Sequence, residues 1–470
     1  MRRASLILTF CAASLSAQQL KLPQYLHETL PNGVVVDLMP RKGVPLVHFR
    51  VVVRGGAEAE PAQLSGLAGV TEQLLREGTA KRSAEQFSDE LDFLGGTFGG
   101  GGGRGGRGGG GGGLSSDTAI SAEFLSKDFD RGLDLLADAV LHPAFPEDRV
   151  KQDISRRVDQ AHAAKDNAQG AIRNYFQASF FGVEHPYGHP PDESTLGRIT
   201  RADIVAFHDR VYVGRNLILI VTGDFDPAAA KTKVAQAFGS VPAGTAYQWK
   251  AANAPPRRGR LLLINKPDAT QTYFLIAQPG VDRKNPDRAK LDIINTLFGG
   301  RFTSLINQAL RADSGLTYGA SSSVEEARLP GAILISSYTK TDTTVQALDM
   351  ALDVLKKFNE KGINAEQLKS AKAYIKGGFP TRRMETIDQM ANALGEMELY
   401  GESREEIDGY FARIDAVTLD DVNAAIKKYF RADGLTMVLL GAADKIRDQV
   451  KKYDPNMIEV AARDPGWGVR

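Results

Sequence analysis

The 470-residue sequence predicts an α+β fold built from two similar tandem halves, and three observations carry that reading. Short β-branched runs alternate with stretches of helical spacing along the chain. A second series of such elements begins near residue 258 and follows the order of the first. A Pro-containing stretch at 251–258 (AANAPPRR) separates the two series. The halves are expected at 24–240 and 259–455, joined by a linker at 241–258.

In the first half, residues 33–38 and 46–53 are β-branched runs flanking the turn-forming residues 40–45, which predicts a hairpin. Helical spacing follows at 66–76 and 83–93, and again at 128–141, where His142-Pro143 ends the helix. Residues 146–164 read as a polar helix, and 217–221 as a short buried strand closed by Gly223-Asp224. In the second half, 260–264, 272–278 and 332–338 read as strands, and 287–298, 303–311 and 344–359 as helices. Residues 436–440 repeat the closing strand, with Gly441 placed as Gly223 is in the first series.

Between Gly95 and Gly113 stand 15 of the 48 glycines. Such a run buries no apolar surface and loses maximal backbone entropy on ordering, so 95–113 is expected to be a flexible, solvated insertion. An arginine-glycine nucleic-acid segment is the sharper alternative, but only Arg104 and Arg107 carry charge there.

Composition excludes several function classes. Lys+Arg 58 against Asp+Glu 57 leaves a net charge of +1, which argues against a nucleic-acid-binding protein. Residues 1–17 (MRRASLILTFCAASLSA) combine two arginines, an apolar run and small residues where a peptidase cuts, the pattern of a secretory signal peptide. The apolar run, 6–15, is half the length a spanning helix needs, so no membrane span is expected and the protein is read as exported, in the periplasm. The only cysteine, Cys11, lies in this leader, which leaves the remaining chain without a disulfide or a thiol nucleophile.

Several motifs in register resemble the pitrilysin-like family M16 of zinc peptidases: HETLPNG at 27–33, RGGAEAEP at 54–61, Gly66-Leu67-Ala68, Glu77-Gly78-Thr79, and in the second half Leu310-Arg311 with GLTYG at 315–319. The resemblance implies halves of the LuxS/mitochondrial-processing-peptidase type, each a mostly antiparallel sheet with helices on one side. It also implies a paired, clamshell-like assembly acting on extended peptides.

Active members of that family carry H-x-x-E-H directly after the Gly-Leu-Ala. Two histidines four apart on a helix supply imidazole nitrogens to zinc, and the glutamate between them polarises water. Here the stretch is Gly69-Val70-Thr71-Glu72-Gln73, and the third ligand position falls at Gln160, beside Asp159. Gly69, Gln73 and Gln160 are thus degenerate ligand positions, with Glu72 a vestigial base. No metal and no cofactor are expected in this chain.

Arg311 and Tyr318 stand where the family keeps an Arg/Tyr pair that reaches the catalytic chamber. Read as residue types alone, Arg311 ends a helix and Tyr318 packs in the core. Read through the resemblance, they act in trans: the arginine holds a substrate carbonyl or carboxylate, and the tyrosine stabilises the oxyanion. The expected function is therefore a non-zinc subunit of an exported M16-type metallopeptidase, paired with an M16 subunit whose H-x-x-E-H is intact and which brings the zinc. The alternative is a non-catalytic peptide-binding or scaffolding protein of the cell envelope, and a stand-alone metallopeptidase ranks last. His185 and His189, four apart among prolines, cannot share a helical face, and His162 reads as solvated.

Overall fold

The computed structural model describes residues 21–100, 118–249 and 259–468; the leader 1–17, the later part of the glycine run and 250–258 lie outside the described residues. Two six-stranded sheets carry the architecture. The first contains β1 (Leu26–Thr29), β2 (Val35–Pro40), β3 (Leu46–Val53), β4 (Thr97–Gly100), β5 (Thr118–Leu125) and β6 (Leu217–Gly223), in the order β1-β2-β6-β3-β5-β4. The second contains β7 (Leu261–Asn265), β8 (Gln271–Pro279), β9 (Ala320–Glu326), β10 (Pro330–Lys340), β11 (Thr436–Gly441) and β12 (Ile458–Ala461), in the order β12-β7-β11-β8-β10-β9. Both sheets are mostly antiparallel, as expected, with β2 on β6 and both β11 and β12 on β7 the parallel pairs.

The hairpin expected from 33–38 and 46–53 does not form. β6 lies between β2 and β3, parallel to one and antiparallel to the other. All seven residues of β6 are buried, and a strand apolar on both faces gains most at the centre of a sheet. β11, likewise buried throughout, takes the equivalent place between β7 and β8.

The glycine run also starts later than its composition suggests. Thr97–Gly100 is the edge strand β4, paired with β5 from Thr97 opposite Glu123 to Gly100 opposite Ile120. Phe98 provides the anchor, edge-on to Phe87 with ring centroids 5.3 Å apart. Phe87 belongs to the helix Ala84–Phe93, whose start is set by a capping box between Ser83 and Gln86. In the second half the expected helices at 287–298 and 303–311 are shorter: Arg288–Asn295 and Leu305–Asn307 each run on into a wider-pitched turn.

Each half keeps helices over one face of its sheet and lends one helix to the other half. Ala168–Phe181 leaves the first half and packs Phe176 and Phe180 against Leu262, Leu275, Val438 and Leu440 of the second sheet. Ile387–Tyr400 makes the return crossing, setting Met390, Leu394 and Met397 on Val35, Met39, Val52 and Ile220 of the first sheet. The C-terminal segment past residue 455 adds β12, and Trp467 closes edge-on onto Tyr175 at 5.2 Å. Among the described residues no helix is long and apolar enough to cross a membrane.

Candidate functional site

The helix Leu67–Leu74 starts where Gly66 turns left-handed (φ 101°), and Glu60 caps it by accepting from the backbone N–H groups of Gly66 (2.9 Å) and Ala68 (2.5 Å). Leu67, Ala68, Val70, Thr71 and Leu74 face the core, which turns Gly69, Glu72 and Gln73 to the other side. Helix Glu147–Ala164 packs on it, and its Arg157 reaches over: Nη2 donates to the Gly69 carbonyl at 2.9 Å and Nε to Asp153 at 2.6 Å. Asp153 is buried and also pairs with Arg156.

These residues do not fit a zinc ion. A Cβ built on Gly69 would meet Arg157 Nη1 at 3.8 Å, so the space a histidine there would use already faces a guanidinium cation. Gln73 offers a neutral amide, and Gln160 is exposed on the helix surface beside Asp159. Glu72 packs against Gly100 of β4, so closely that a side chain on Gly100 would overlap its carboxylate. Behind it the Tyr212 hydroxyl is fully buried without a hydrogen-bond partner, and burial with the charge of Glu72 holds its pKa well above the usual phenol value. Arg157 and Asp153 escaped the sequence reading, although an Asp and an Arg four apart in a helix are a readable pair.

Arg311 and Tyr318 lie on the second half. Tyr318 is 82% exposed, which rules out the reading that packs it in the core. Its exposure is built rather than frayed, because the backbone on both sides is pinned. The N–H groups of Leu316 and Thr317 both bond the Leu310 carbonyl, Thr339 donates to the Leu316 carbonyl at 2.7 Å, and Ser337 donates to the Gly319 carbonyl at 2.9 Å. Arg311 ends its turn with the guanidinium over the Phe302 ring, 4.5 Å from the centroid, and Phe302 is itself 72% exposed. The Arg311 guanidinium makes no ion pair or hydrogen bond among the described residues.

Of the remaining histidine candidates, His185 is structural. His185 is buried between Phe181 and Tyr187, accepts from the Tyr187 N–H at Nδ1 (3.1 Å), and burial lowers its pKa to about 4. His162 is exposed. The folded state binds fewer protons at His185 than the unfolded chain between pH 6.5 and about 4, so its contribution to stability is complete above pH 6.5 and lost as pH falls through 4. An NMR titration is expected to find the His185 ring neutral down to pH 5; a midpoint near 6.5 would contradict the buried, acceptor role.

Residues 40–185 match the family model for insulinase, peptidase family M16, and residues 198–375 match the model for the peptidase M16 inactive domain. The chain belongs to peptidase family M16. Among its M16 relatives, an uncharacterized zinc protease of Mycobacterium leprae is 27% identical over 406 residues, covering 84% of this chain and 87% of the relative. The uncharacterized zinc protease YmxG of Bacillus subtilis is 22% identical over 408 residues, covering 86% and 95%. Two solved structures share the fold. The peptidase M16 inactive domain from Pseudomonas fluorescens superposes with a TM-score of 0.80 at 24% identity, over 89% of this chain and 98% of that one. A protease from Helicobacter pylori gives 0.77 at 19% identity, over 89% and 100%. The zinc named in the relatives' descriptions has no ligand set at Gly69, Gln73 and Gln160 of this M16 chain.

Proposed function

We propose that this M16 chain is the non-zinc subunit of an exported peptidase, contributing Arg311, Tyr318 and a chamber wall to an M16 partner whose H-x-x-E-H motif is intact. One observation carries the reading: Tyr318 is held almost fully exposed on a pinned loop while Arg157 sits against Gly69. A tyrosine without a partner among the described residues has an O–H to donate, and a preorganised donor of this kind stabilises the oxyanion that forms on the scissile carbonyl. Arg311, its guanidinium supported by Phe302, binds a substrate carboxylate or carbonyl before reaction. Zinc in the partner supplies the activated water.

The leader at 1–17 supports export, since its apolar run is too short to span a bilayer. Scaffolding of the cell envelope is the second reading, favoured by the missing ligands. Reconstitution separates the two. Each chain alone is expected to leave an extended peptide uncut, and the mixed pair, isolated as one peak by gel filtration, to cleave it. Cleavage by the partner alone at the rate of the pair would leave this chain only a scaffold.

A further inference from the structure

β1 and β2 pair antiparallel with His27 directly opposite Asp37, so both side chains stand on the same face of the first sheet. That face is the one covered by Ile387–Tyr400, the helix lent by the second half. Asp37 lies on it between Val35 and Met39, which pack against Met390 and Leu394 of the helix. The same helix brings Glu398 to the spot. His27 Nδ1 is 2.8 Å from Asp37 Oδ1 and 3.4 Å from Glu398 Oε1, and one ligand atom from each residue lies within 4.8 Å of the others.

As a purely internal contact the cluster leaves one buried carboxylate oxygen without a partner. Asp37 is 0% exposed, and its Oδ2 is buried without a hydrogen-bond partner. A buried carboxylate oxygen left unpaired is costly, because the water it gave up has not been replaced. Burial and the neighbouring Glu398 carboxylate push the Asp37 pKa up to about 6, against the lowering effect of the His27 hydrogen bond. Arg54 comes to 3.8 Å of Glu398 Oε2 and bonds the Glu398 carbonyl. Tyr25 is the other titratable neighbour, and Arg404 beyond it is paired with Asp408. Two carboxylates therefore converge on one half-exposed imidazole.

We infer that His27 Nδ1, an Asp37 carboxylate oxygen and Glu398 Oε1 form a divalent-cation site that ties the two halves together. One imidazole nitrogen and two carboxylate oxygens suit a first-row transition cation such as Zn²⁺ or Mn²⁺. Ligands at about 2.0–2.2 Å from a tetrahedral zinc stand roughly 3.3 Å apart, close to the 2.8 and 3.4 Å observed before any adjustment. The half-exposed side of His27 gives the ion a path in and leaves a fourth position for water. Two ligands come from the first half and one from the second, so binding would favour the closed pairing of lent helix and sheet. The site is separate from Gly69, Gln73 and Gln160, does not rest on the proposed function, and departs from the expectation that this chain holds no metal.

The test uses the full chain, tag removed and stripped with chelator, titrated calorimetrically with Zn²⁺ alone. About one ion per chain is expected, with a rise in the thermal midpoint. His27→Ala and Glu398→Gln, both at partly exposed positions, should each weaken binding by at least about tenfold, while His162→Ala at an exposed site should not. The metal-free midpoints of the variants check that they fold. Absence of stoichiometric binding, or binding that His27→Ala and Glu398→Gln leave unchanged, would overturn the inference.

Discussion

Tyr318→Phe is expected to lower kcat of the reconstituted pair by about 10²- to 10³-fold while leaving the complex intact on gel filtration. That is the size of the loss when one oxyanion donor is removed from a comparable site. The side chain is 82% exposed, so deleting its hydroxyl removes no internal contact and should not move the thermal midpoint. KM should change little, because the bond is made to charge that develops only in the transition state. Arg311→Ala should raise KM as well, since a guanidinium that holds a carbonyl or carboxylate acts before the chemistry. Both variants assembling and cleaving at the unmutated rate would reduce the pair to surface residues and hand the function to the scaffold reading.

Phe176→Ala is expected to destabilise the protein by about 3–5 kcal/mol, the range for removing a fully buried phenylalanine. Phe176 is 0% exposed, stacks on Phe180 at 5.0 Å and meets Phe181 at 6.2 Å. It belongs to the first half but fills the face of the second sheet. The reciprocal change, Leu394→Ala in the helix lent the other way, should cost about 2–5 kcal/mol. Because each helix is core to the half it does not belong to, urea unfolding of either variant should remain one transition with a lowered midpoint. Two separated transitions, with only one half affected, would show that the exchanged helices are ornaments on independently stable units.

Much of the local structure was legible because its causes are local. The capping box at Ser83 and the stop at His142-Pro143 bracket their helices, and the all-apolar 217–221 announces a short buried strand. The hairpin failed because the β-branched runs specify strands and not neighbours; β6 takes the place between β2 and β3 since its two apolar faces need cover on both sides. The glycine run misled at its start because composition averages over Thr97 and Phe98, whose side chains are enough to hold an edge strand on β5.

At the candidate site the sequence by itself determined what chemistry is missing. Gly69, Gln73 and Gln160 lack the nitrogen and carboxylate donors a zinc peptidase needs, and no folding can supply them. Only the tertiary structure decided what stands there instead. Arg157 comes from a helix almost ninety residues further on, and its position against Gly69 depends on how two helices pack. As a residue type Tyr318 read as a core side chain; Thr339 and Ser337 of β10 hold its loop so that the ring is exposed instead. His27, Asp37 and Glu398 carry no shared motif at all. They meet because β1 pairs with β2 and a helix from the other half crosses that face, and contacts between distant segments are set by the burial of whole faces rather than by the residues that happen to meet on them.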